Sequence, residues 1–260
     1  MSHISFSELK YWAKCPHYHK VNYIDGVSTF NGNLFTAFGK AIHHVCEKII
    51  LGKVSQSDAS DEFKHKFFNE VEKLSENEAL DQDLFESMVP QGVELAKYAI
   101  PELREYFGDF TLVGVEENLY EKIQKAGLEI GDKNFKGFID LIIKTPDGKY
   151  HIVDWKSCGW GWKAEQKTDK MTTYQLTLYK HFYSQKHNID SSKIETYFAL
   201  LKRTAKENKV EIFRVTSGPR KTDNALNLLH KALYNIEKKN FVKNRLACRF
   251  CELYKTEYCT

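Results

Sequence analysis

Two neighbouring apolar segments with a turn between them constrain the fold of this chain more than any other feature. Residues 135–144 read Phe-Lys-Gly-Phe-Ile-Asp-Leu-Ile-Ile-Lys, and residues 150–155 read Tyr-His-Ile-Val-Asp-Trp. β-Branched and aromatic side chains of this kind favour strands. The connection contains Pro146-Asp147-Gly148, and Asp-Gly between two apolar runs is a strong hairpin signal. The sequence therefore predicts a β-hairpin over these residues.

Acidic residues lie within both predicted strands. Asp140 interrupts the first apolar run, and Asp154 and Lys156 end the second. Residues two apart in a strand share a face, so Asp154 and Lys156 project together. In a hairpin Asp140 and Asp154 lie side by side, and a hard divalent cation relieves the repulsion between two close carboxylates. For Asp140 alone, a loop cap or a lysine partner is the alternative.

This arrangement predicts a site for Mg²⁺ or Mn²⁺ held by Asp140, Asp154 and the backbone carbonyl of Trp155. The cation would activate water and neutralise a phosphate. Lys156 would position or deprotonate that water, or stabilise the developing charge. The tripeptide Asp/Glu-x-Lys is not specific by itself, because the sequence contains seven copies. Only the copy that begins at Asp154 ends an apolar strand, and it is therefore the catalytic candidate.

Four short motifs occur in a fixed order along the chain: Gly39-x-x-x-His43, Gly137-x-x-Asp140, Asp154-x-Lys156 and Gln175-x-x-x-Tyr179. This order resembles the RecB-type branch of the PD-(D/E)XK nucleases. The resemblance implies a restriction-endonuclease-like α/β fold and a metal ligand in His43. It also implies that Gln175 and Tyr179, one helical turn apart, support the site or the substrate. A glutamate on the preceding strand is expected as well, and Glu116 and Glu117 both match. Taken singly, each of these residues is as readily an ordinary helix or strand residue.

A cysteine-rich segment ends the chain. Cys248, Cys251 and Cys259 have metal-site spacing, and Cys15 before Pro16 is the best candidate for a fourth ligand. The pattern resembles the iron–sulfur subgroup of these nucleases, with its AddB-like and CRISPR-associated exonuclease-like members, which implies a 4Fe-4S cluster. The last gap, of seven residues, departs from the commoner spacing. Structural Zn²⁺ fits four thiolates as an alternative. Cys46 and Cys158 are substitute ligands or, more simply, buried thiols.

Aromatic and basic residues near the catalytic candidates are possible DNA contacts. Trp160 and Trp162 are flanked by glycines and are expected to be exposed, so that they can stack on bases. The basic candidates for phosphate contact could equally form a solvated face; they are Lys163, Lys167, Lys170, Lys202 and Arg203.

A single domain over residues 1–260 is expected, and the resemblance implies that it is a nuclease domain. Residues 1–107 read as mainly helical, 108–240 as the catalytic α/β core with a mixed central sheet flanked by helices, and 241–260 as a metal-cluster tail that packs near Cys15. Pro90 and Pro101 are expected to start or kink helices. The predicted helices are 35–50, 58–74, 84–107, 172–185 and 221–239, and the further strands are 111–123, 195–201 and 209–215.

Net charge and the lengths of the apolar runs argue against a polycation and against a membrane protein. A net charge of +3 is too small for a polycation, so any nucleic-acid site must come from local clustering. No apolar run is long enough to cross a bilayer and the first residues do not form a signal peptide, so we expect no membrane partner and a cytoplasmic location, in a prokaryote or a phage-infected cell.

The resulting hypothesis is a Mg²⁺- or Mn²⁺-dependent deoxyribonuclease, an exonuclease or end-processing enzyme of DNA recombination, repair or phage-type DNA metabolism. It would act on single-stranded DNA or on free ends. A helicase or recombination partner is expected if unwinding is needed, because the chain lacks a nucleotide-binding loop. The alternatives are a non-catalytic DNA-binding or scaffold subunit with a structural metal cluster, and a cluster-bearing redox or regulatory protein.

Overall fold

A computed structural model describes residues 3–27, 32–75, 80–124 and 132–260. Its helices and strands alternate in a mixed α/β order. The elements are β1 (His3–Ser5), α1 (Phe6–Lys14), α2 (Pro16–His19), α3 (Leu34–Ile50), α4 (Ala59–Ser75), α5 (Gln82–Phe107), β2 (Thr111–Lys122), β3 (Asn134–Lys144), β4 (Tyr150–Cys158), α6 (Ala164–Thr168), α7 (Lys170–His187), β5 (Ile194–Lys202), β6 (Val210–Val215) and α8 (Pro219–Glu237). There is also a short π-helix at Lys20–Ile24, and there are 3-10 turns at Ser191–Lys193 and Arg245–Phe250.

These strands form one mixed sheet, in the order β1-β3-β4-β5-β6, with β2 also paired to β3. β2 runs antiparallel along the whole of β3. Two strands share the other side of β3. β1 pairs in parallel with the start of β3, at Asn134–Lys136, and β4 pairs antiparallel with the end of β3, at Leu141–Lys144. Parallel β5 then follows β4, and antiparallel β6 closes the edge. The predicted fold class, a central mixed sheet flanked by helices, is confirmed.

Helices cover both faces of the sheet and enclose two apolar cores. One core lies under α1, α7 and α8 and includes Phe135, Phe182 and Phe198. The other lies under α3, α4 and α5 and includes Phe38 and Phe63. Burial of this apolar area is the main force that holds the three layers together. Within the described ranges, no helix is both long and apolar enough to cross a membrane.

The predicted hairpin is present, with Lys144 opposite Tyr150 and the turn at Pro146-Asp147-Gly148. The other predicted helices and strands are found with shifts of a few residues at their ends. The three-residue strand β1 was not predicted, because it is too short to show a period of two. Ser5 is the N-cap of α1: its Oγ accepts a hydrogen bond from the Glu8 amide at 3.1 Å.

Pro90 and Pro101 were expected to start or kink helices, and the expectation that they start helices is wrong. Both lie inside α5, which continues through them for 26 residues. Each proline lies on the exposed side of the helix, and the carbonyl four residues before Pro101 accepts a hydrogen bond from the Gln56 side chain instead. Burial of the opposite face, with Met88, Leu95 and Leu103, offsets the cost of about 3 kcal/mol per interior proline.

Gly92 allows α5 to approach α4, and this contact generates a first prediction. A Cβ atom at Gly92 would lie 1.9 Å from Cζ of the buried Phe63. An alanine in a helix interior normally stabilises by about 1 kcal/mol relative to glycine. We expect Gly92→Ala to have the opposite sign and to lower the free energy of unfolding by about 1–3 kcal/mol through overpacking.

Urea denaturation monitored by circular dichroism measures this effect. Ser87→Ala, at an exposed position of the same helix, is the control and should change the free energy by less than about 0.5 kcal/mol. A Gly92→Ala protein more stable than the wild type would contradict the packing described here.

Candidate active site

The pairing between β3 and β4 stops where the two acidic residues meet. Leu141 and Val153 form the last pair of this ladder, and the same register places Asp140 opposite Asp154. Beyond it the strands separate, since the start of β3 pairs with β1 instead. Asp140 Oδ2 accepts a hydrogen bond from the Trp155 backbone amide at 2.8 Å. The predicted proximity of the two acids is therefore present, at a split in the sheet.

Helix α7 fixes the position of the Asp154 side chain. Asp154 is only 1% exposed, and its Oδ1 accepts a hydrogen bond from Gln175 Nε2 at 2.9 Å. The same amide donates to the Tyr179 hydroxyl at 3.2 Å. Gly137 makes room for the Tyr179 ring, because a Cβ there would lie 2.7 Å from Tyr179 Cε1. The motif residues on β3, β4 and α7 thus contact one another directly.

Lys156 is the charge partner of this buried carboxylate. Its Nζ forms an ion pair with Asp154 Oδ2 at 2.5 Å. Burial lowers the pKa of Lys156, and the charges of Asp154 and Asp140 more than reverse this, so the net shift is upward. The side chain is an ammonium ion at neutral pH, which favours an electrostatic role over that of a base.

His43 approaches the site from α3, on the other face of the sheet. Its Nδ1 lies 3.6 Å from Asp140 Oδ2. Burial and the nearby Lys156 charge lower the pKa of His43 to about 4, although a backbone hydrogen bond with Trp155 acts in the opposite direction. The imidazole is therefore neutral at physiological pH, and a neutral imidazole is the form that binds metals.

Burial and mutual repulsion make the two aspartates reluctant to ionise together. Burial is the main cause that raises the pKa of Asp140 well above its usual range, and the Asp154 charge adds to it. Lys156 and the Trp155 amide oppose this rise only in part. Burial also raises the pKa of Asp154. A divalent cation between the carboxylates would favour their charged forms, so the electrostatics match a cation site.

The structure distinguishes between the two candidate glutamates. Glu116 has a left-handed backbone (φ 50°) and falls between the pairs Val115–Leu141 and Glu117–Ile139, opposite Asp140. Its pKa is raised by burial and by the charges of Glu47 and Asp154. Glu117 instead forms ion pairs with Lys186 and His187 on α7. Glu116 is thus the glutamate at the site.

Glu47 is a further acidic residue that the sequence analysis did not identify. It lies on α3 one turn after His43, and both line a cavity with Glu116 and Asp140. The spacing His43-x-x-x-Glu47 places the two side chains on one helix face, and this was the available signal. In a sequence of 35 acidic residues the signal is not specific.

The donor types fit a hard divalent cation, although the side chains do not form a complete coordination shell. Two carboxylates lie close together beside the Lys156 ammonium group, and the neutral His43 imidazole lies 3.6 Å from Asp140 Oδ2. Across residues 3–27, 32–75, 80–124 and 132–260, no group of three or more His, Cys, Asp or Glu side chains is placed to hold a metal ion.

Comparison with known proteins identifies the family of the chain. A family model described as the PD-(D/E)XK nuclease superfamily matches residues 3–256. The chain belongs to this superfamily. No curated protein sequence matches it.

Among solved structures, the fold is similar to that of a Eubacterium rectale protein named "Putative exonuclease". The TM-score is 0.57 at 14% identity, and the alignment covers 96% of this chain and 86% of that one. At this identity the similarity shows the shared fold alone. The structure of the protein SSO0001 aligns over 84% of this chain and 92% of its own, with 12% identity and a TM-score of 0.40, which is too low to support an argument.

The four cysteines predicted as ligands in this PD-(D/E)XK nuclease line one cavity. They are Cys15, after α1, and Cys248, Cys251 and Cys259 from the end of the chain. Cys15, Cys259, Tyr18 and Leu253 form a small buried cluster. The two substitute cysteines lie elsewhere, Cys46 buried in the α3 core and Cys158 at the end of β4. The fold thus brings the two ends of the chain together at these thiols.

The expected exposure of the two glycine-flanked tryptophans holds for one of them. Trp160 is 82% exposed. Trp162 is half-buried against Phe198 and Phe213, because Gly161, at φ 122°, turns the chain back towards the sheet. The Trp155 ring is buried in the core under α3.

Several of the candidate phosphate contacts already have partners within the protein. Lys202 is 9% exposed and its Nζ lies 3.9 Å from Glu211. Arg203 stacks on Phe35 and Phe38 and donates to Gln91. Lys167 pairs with Glu211. Lys163 and Lys170 are exposed, and as DNA contacts all of these residues remain predictions.

The Gln175–Asp154 hydrogen bond gives a second prediction. Gln175→Ala removes the donor from a buried carboxylate oxygen, and an unsatisfied buried acceptor costs about 1–3 kcal/mol. We expect urea denaturation to show a loss of stability in that range. Gln166→Ala, the same exchange at an exposed position of α6, is the control. Equal stabilities of the two variants would mean that the bond does not hold Asp154 in solution.

Proposed function

We propose that this PD-(D/E)XK nuclease is a metal-dependent deoxyribonuclease, an exonuclease or end-processing enzyme that hydrolyses phosphodiester bonds. The convergence of Asp140, Asp154 and Lys156 at the split between β3 and β4 carries the proposal. Two neighbouring carboxylates, Asp154 buried and Asp140 half-buried, with one adjacent ammonium group would combine a cation site with a positive charge for the scissile phosphate.

Asp140, Asp154, the Trp155 carbonyl and His43 would hold the divalent cation, Mg²⁺ or Mn²⁺. Such an ion supplies Lewis-acid activation and lowers the pKa of a bound water. The low pKa of His43 keeps its imidazole neutral and available. Glu116 and Glu47 line the cavity beside Asp140 and would orient water or the ligands from further out.

The other motif residues have roles that follow from their contacts. Lys156 would bind a non-bridging phosphate oxygen and stabilise the charge that develops on it. Gln175 would hold Asp154 in one rotamer through its amide. Tyr179 accepts the second hydrogen bond of that amide and so would fix the orientation of Gln175. All three roles depend on preorganised geometry rather than on proton transfer by the protein.

Cleavage assays on labelled single- and double-stranded DNA test this proposal. With Mg²⁺ or Mn²⁺ the wild type should cut, and EDTA should stop it. Lys156→Ala and Asp154→Asn should lower the rate by on the order of 10²–10³-fold or more. Lys193→Ala, at an exposed residue just before β5, should cut at the wild-type rate.

Thermal unfolding of each variant separates catalytic from folding defects, and Lys156→Gln serves as a second variant if Lys156→Ala is unstable. A folded wild type that cuts no DNA with either metal would remove the proposed function. So would a folded Asp154→Asn protein with full activity.

We further propose that Cys15, Cys248, Cys251 and Cys259 bind a 4Fe-4S cluster, with structural Zn²⁺ as the alternative. The cavity that all four thiols line supports this proposal. In sequence, Cys15 and Cys248 lie far apart, and closing so long a loop makes metal binding part of the folding free energy.

Cysteine variants test the metal site independently of activity. Cys248→Ala should lose iron, or zinc, by elemental analysis and unfold at a lower temperature, and visible absorption distinguishes a brown cluster from colourless zinc. Cys158→Ser should keep the metal. A wild-type protein that is fully stable without either metal would contradict this prediction.

The wider setting is also part of the proposal. One family model spans nearly the whole chain, which supports a single nuclease domain over residues 1–260. DNA with single-stranded regions or free ends is the proposed substrate, in recombination, repair or phage-type metabolism in the cytoplasm. A helicase or recombination partner would supply unwinding.

A further inference from the structure

The site at the sheet split opens on both faces of the sheet, and the two openings differ in charge. On the α3 face a small cavity is lined by Glu47, Glu116 and Asp140 beside His43. On the α1 and α7 face, the residues of the described chain that line the cleft include Lys10, Lys14 and Lys156 and no carboxylate. One opening is acidic and the other is basic.

The two openings also differ in size. The acidic cavity has a volume of about 10 Å³, which is the space of a single water molecule or ion. The basic cleft has about 690 Å³, within the range of about 300–1,000 Å³ that holds ligands of nucleotide size. Charge and volume together assign the acidic side to a cation and the basic side to a phosphate-bearing ligand.

We propose that the cleft between α1 and α7, here called the α1 cleft, binds single-stranded DNA next to the reacting phosphate, and that Lys10 is a phosphate-binding residue in it. The cleft extends from Lys10 and Lys14 on α1 to Lys156 and Gln175 at the site, with Met171 on the far wall. The inference rests on the proposed function and adds the path of the substrate.

Lys10 is suited to this contact by its exposure and position. It lies one turn before Lys14 on the same face of α1, so both project along the cleft. Lys14 also lies over the Tyr18 ring, with Nζ 5.9 Å from the ring centroid. Within the residues that the structure describes, no ion pair or hydrogen bond engages the Lys10 ammonium group. It can therefore bind an incoming phosphate without breaking another contact.

The lining of the α1 cleft favours a single strand over a duplex. Besides the lysines, the cleft is lined by half-buried side chains with apolar surface, including Tyr11, Ala13 and Met171. A single strand presents base faces as well as phosphates, and such a mixed basic and apolar wall matches both. A duplex presents mainly phosphates at its surface and would leave the apolar side chains without a partner.

Fluorescence anisotropy tests the cleft without cleavage, in EDTA, with a labelled single strand of about 20 nucleotides. We expect Lys10→Glu to weaken binding at least about tenfold. Lys10→Gln should reduce the slope of log K against log salt by about 0.7, which corresponds to one phosphate contact. Lys193→Glu is the control, because it makes the same charge change at an exposed residue far from the site. Its neighbour Ile194 pairs with Tyr150, at the end of β4 that lies away from Asp154. This variant should bind within about twofold of the wild type.

Steady-state cleavage with Mg²⁺ or Mn²⁺ completes the test. Lys10→Glu should raise KM with little change in kcat, since it does not touch the reacting atoms. If the wild type cuts and Lys10→Glu matches Lys193→Glu in both assays, the cleft inference fails and the proposed function stands. Tighter binding of duplex than of single strand would also overturn it. If the wild type cuts no nucleic acid, the proposed function fails instead.

Discussion

A single hydrogen bond allows the sheet to open at the candidate active site. Beyond the last pair of the β3–β4 ladder, the Trp155 amide donates to the Asp140 carboxylate at 2.8 Å. A side chain thus replaces a backbone acceptor, and the amide stays satisfied although the strands diverge. β4 remains paired to β5 along its whole length, so the split does not loosen the strand that carries Asp154 and Lys156.

The split has an electrostatic cost that the surrounding helices offset only in part. Two acids lie in a buried environment, and burial raises the pKa of both. Lys156 supplies one positive charge and Gln175 one hydrogen bond. The two carboxylates therefore share a single nearby ammonium group. The sheet and α7 hold this unequal balance of charge in place. In the proposed function, the excess of negative charge is the property that binds the divalent cation.

Most of the central sheet was predictable because its signals are local. The turn at residues 146–148 and the flanking apolar runs determined the hairpin, and the hairpin placed Asp140 near Asp154. Other features depend on contacts that a single sequence does not show. β1 is too short to show a period, and Glu47 is recognised only when α3 packs beside Glu116. The choice between Glu116 and Glu117 depends on the left-handed backbone at Glu116. This conformation interrupts the regular alternation of side chains between the two faces of the strand.

The α1 cleft could not be predicted from the sequence, because contacts with distant parts of the chain fix helix α1 at both of its ends. Before α1, strand β1 pairs with β3 and so ties the helix to the sheet. After it, the Asn244 side-chain amide donates to the Lys14 carbonyl at 2.8 Å, and the Asn244 backbone amide lies 3.4 Å from Cys15 Sγ. The position of Lys10 relative to Lys156 therefore results from contacts between residues more than a hundred positions apart. The sequence alone therefore does not identify a lysine of an amphipathic helix as a phosphate ligand, because only those contacts bring it to the site.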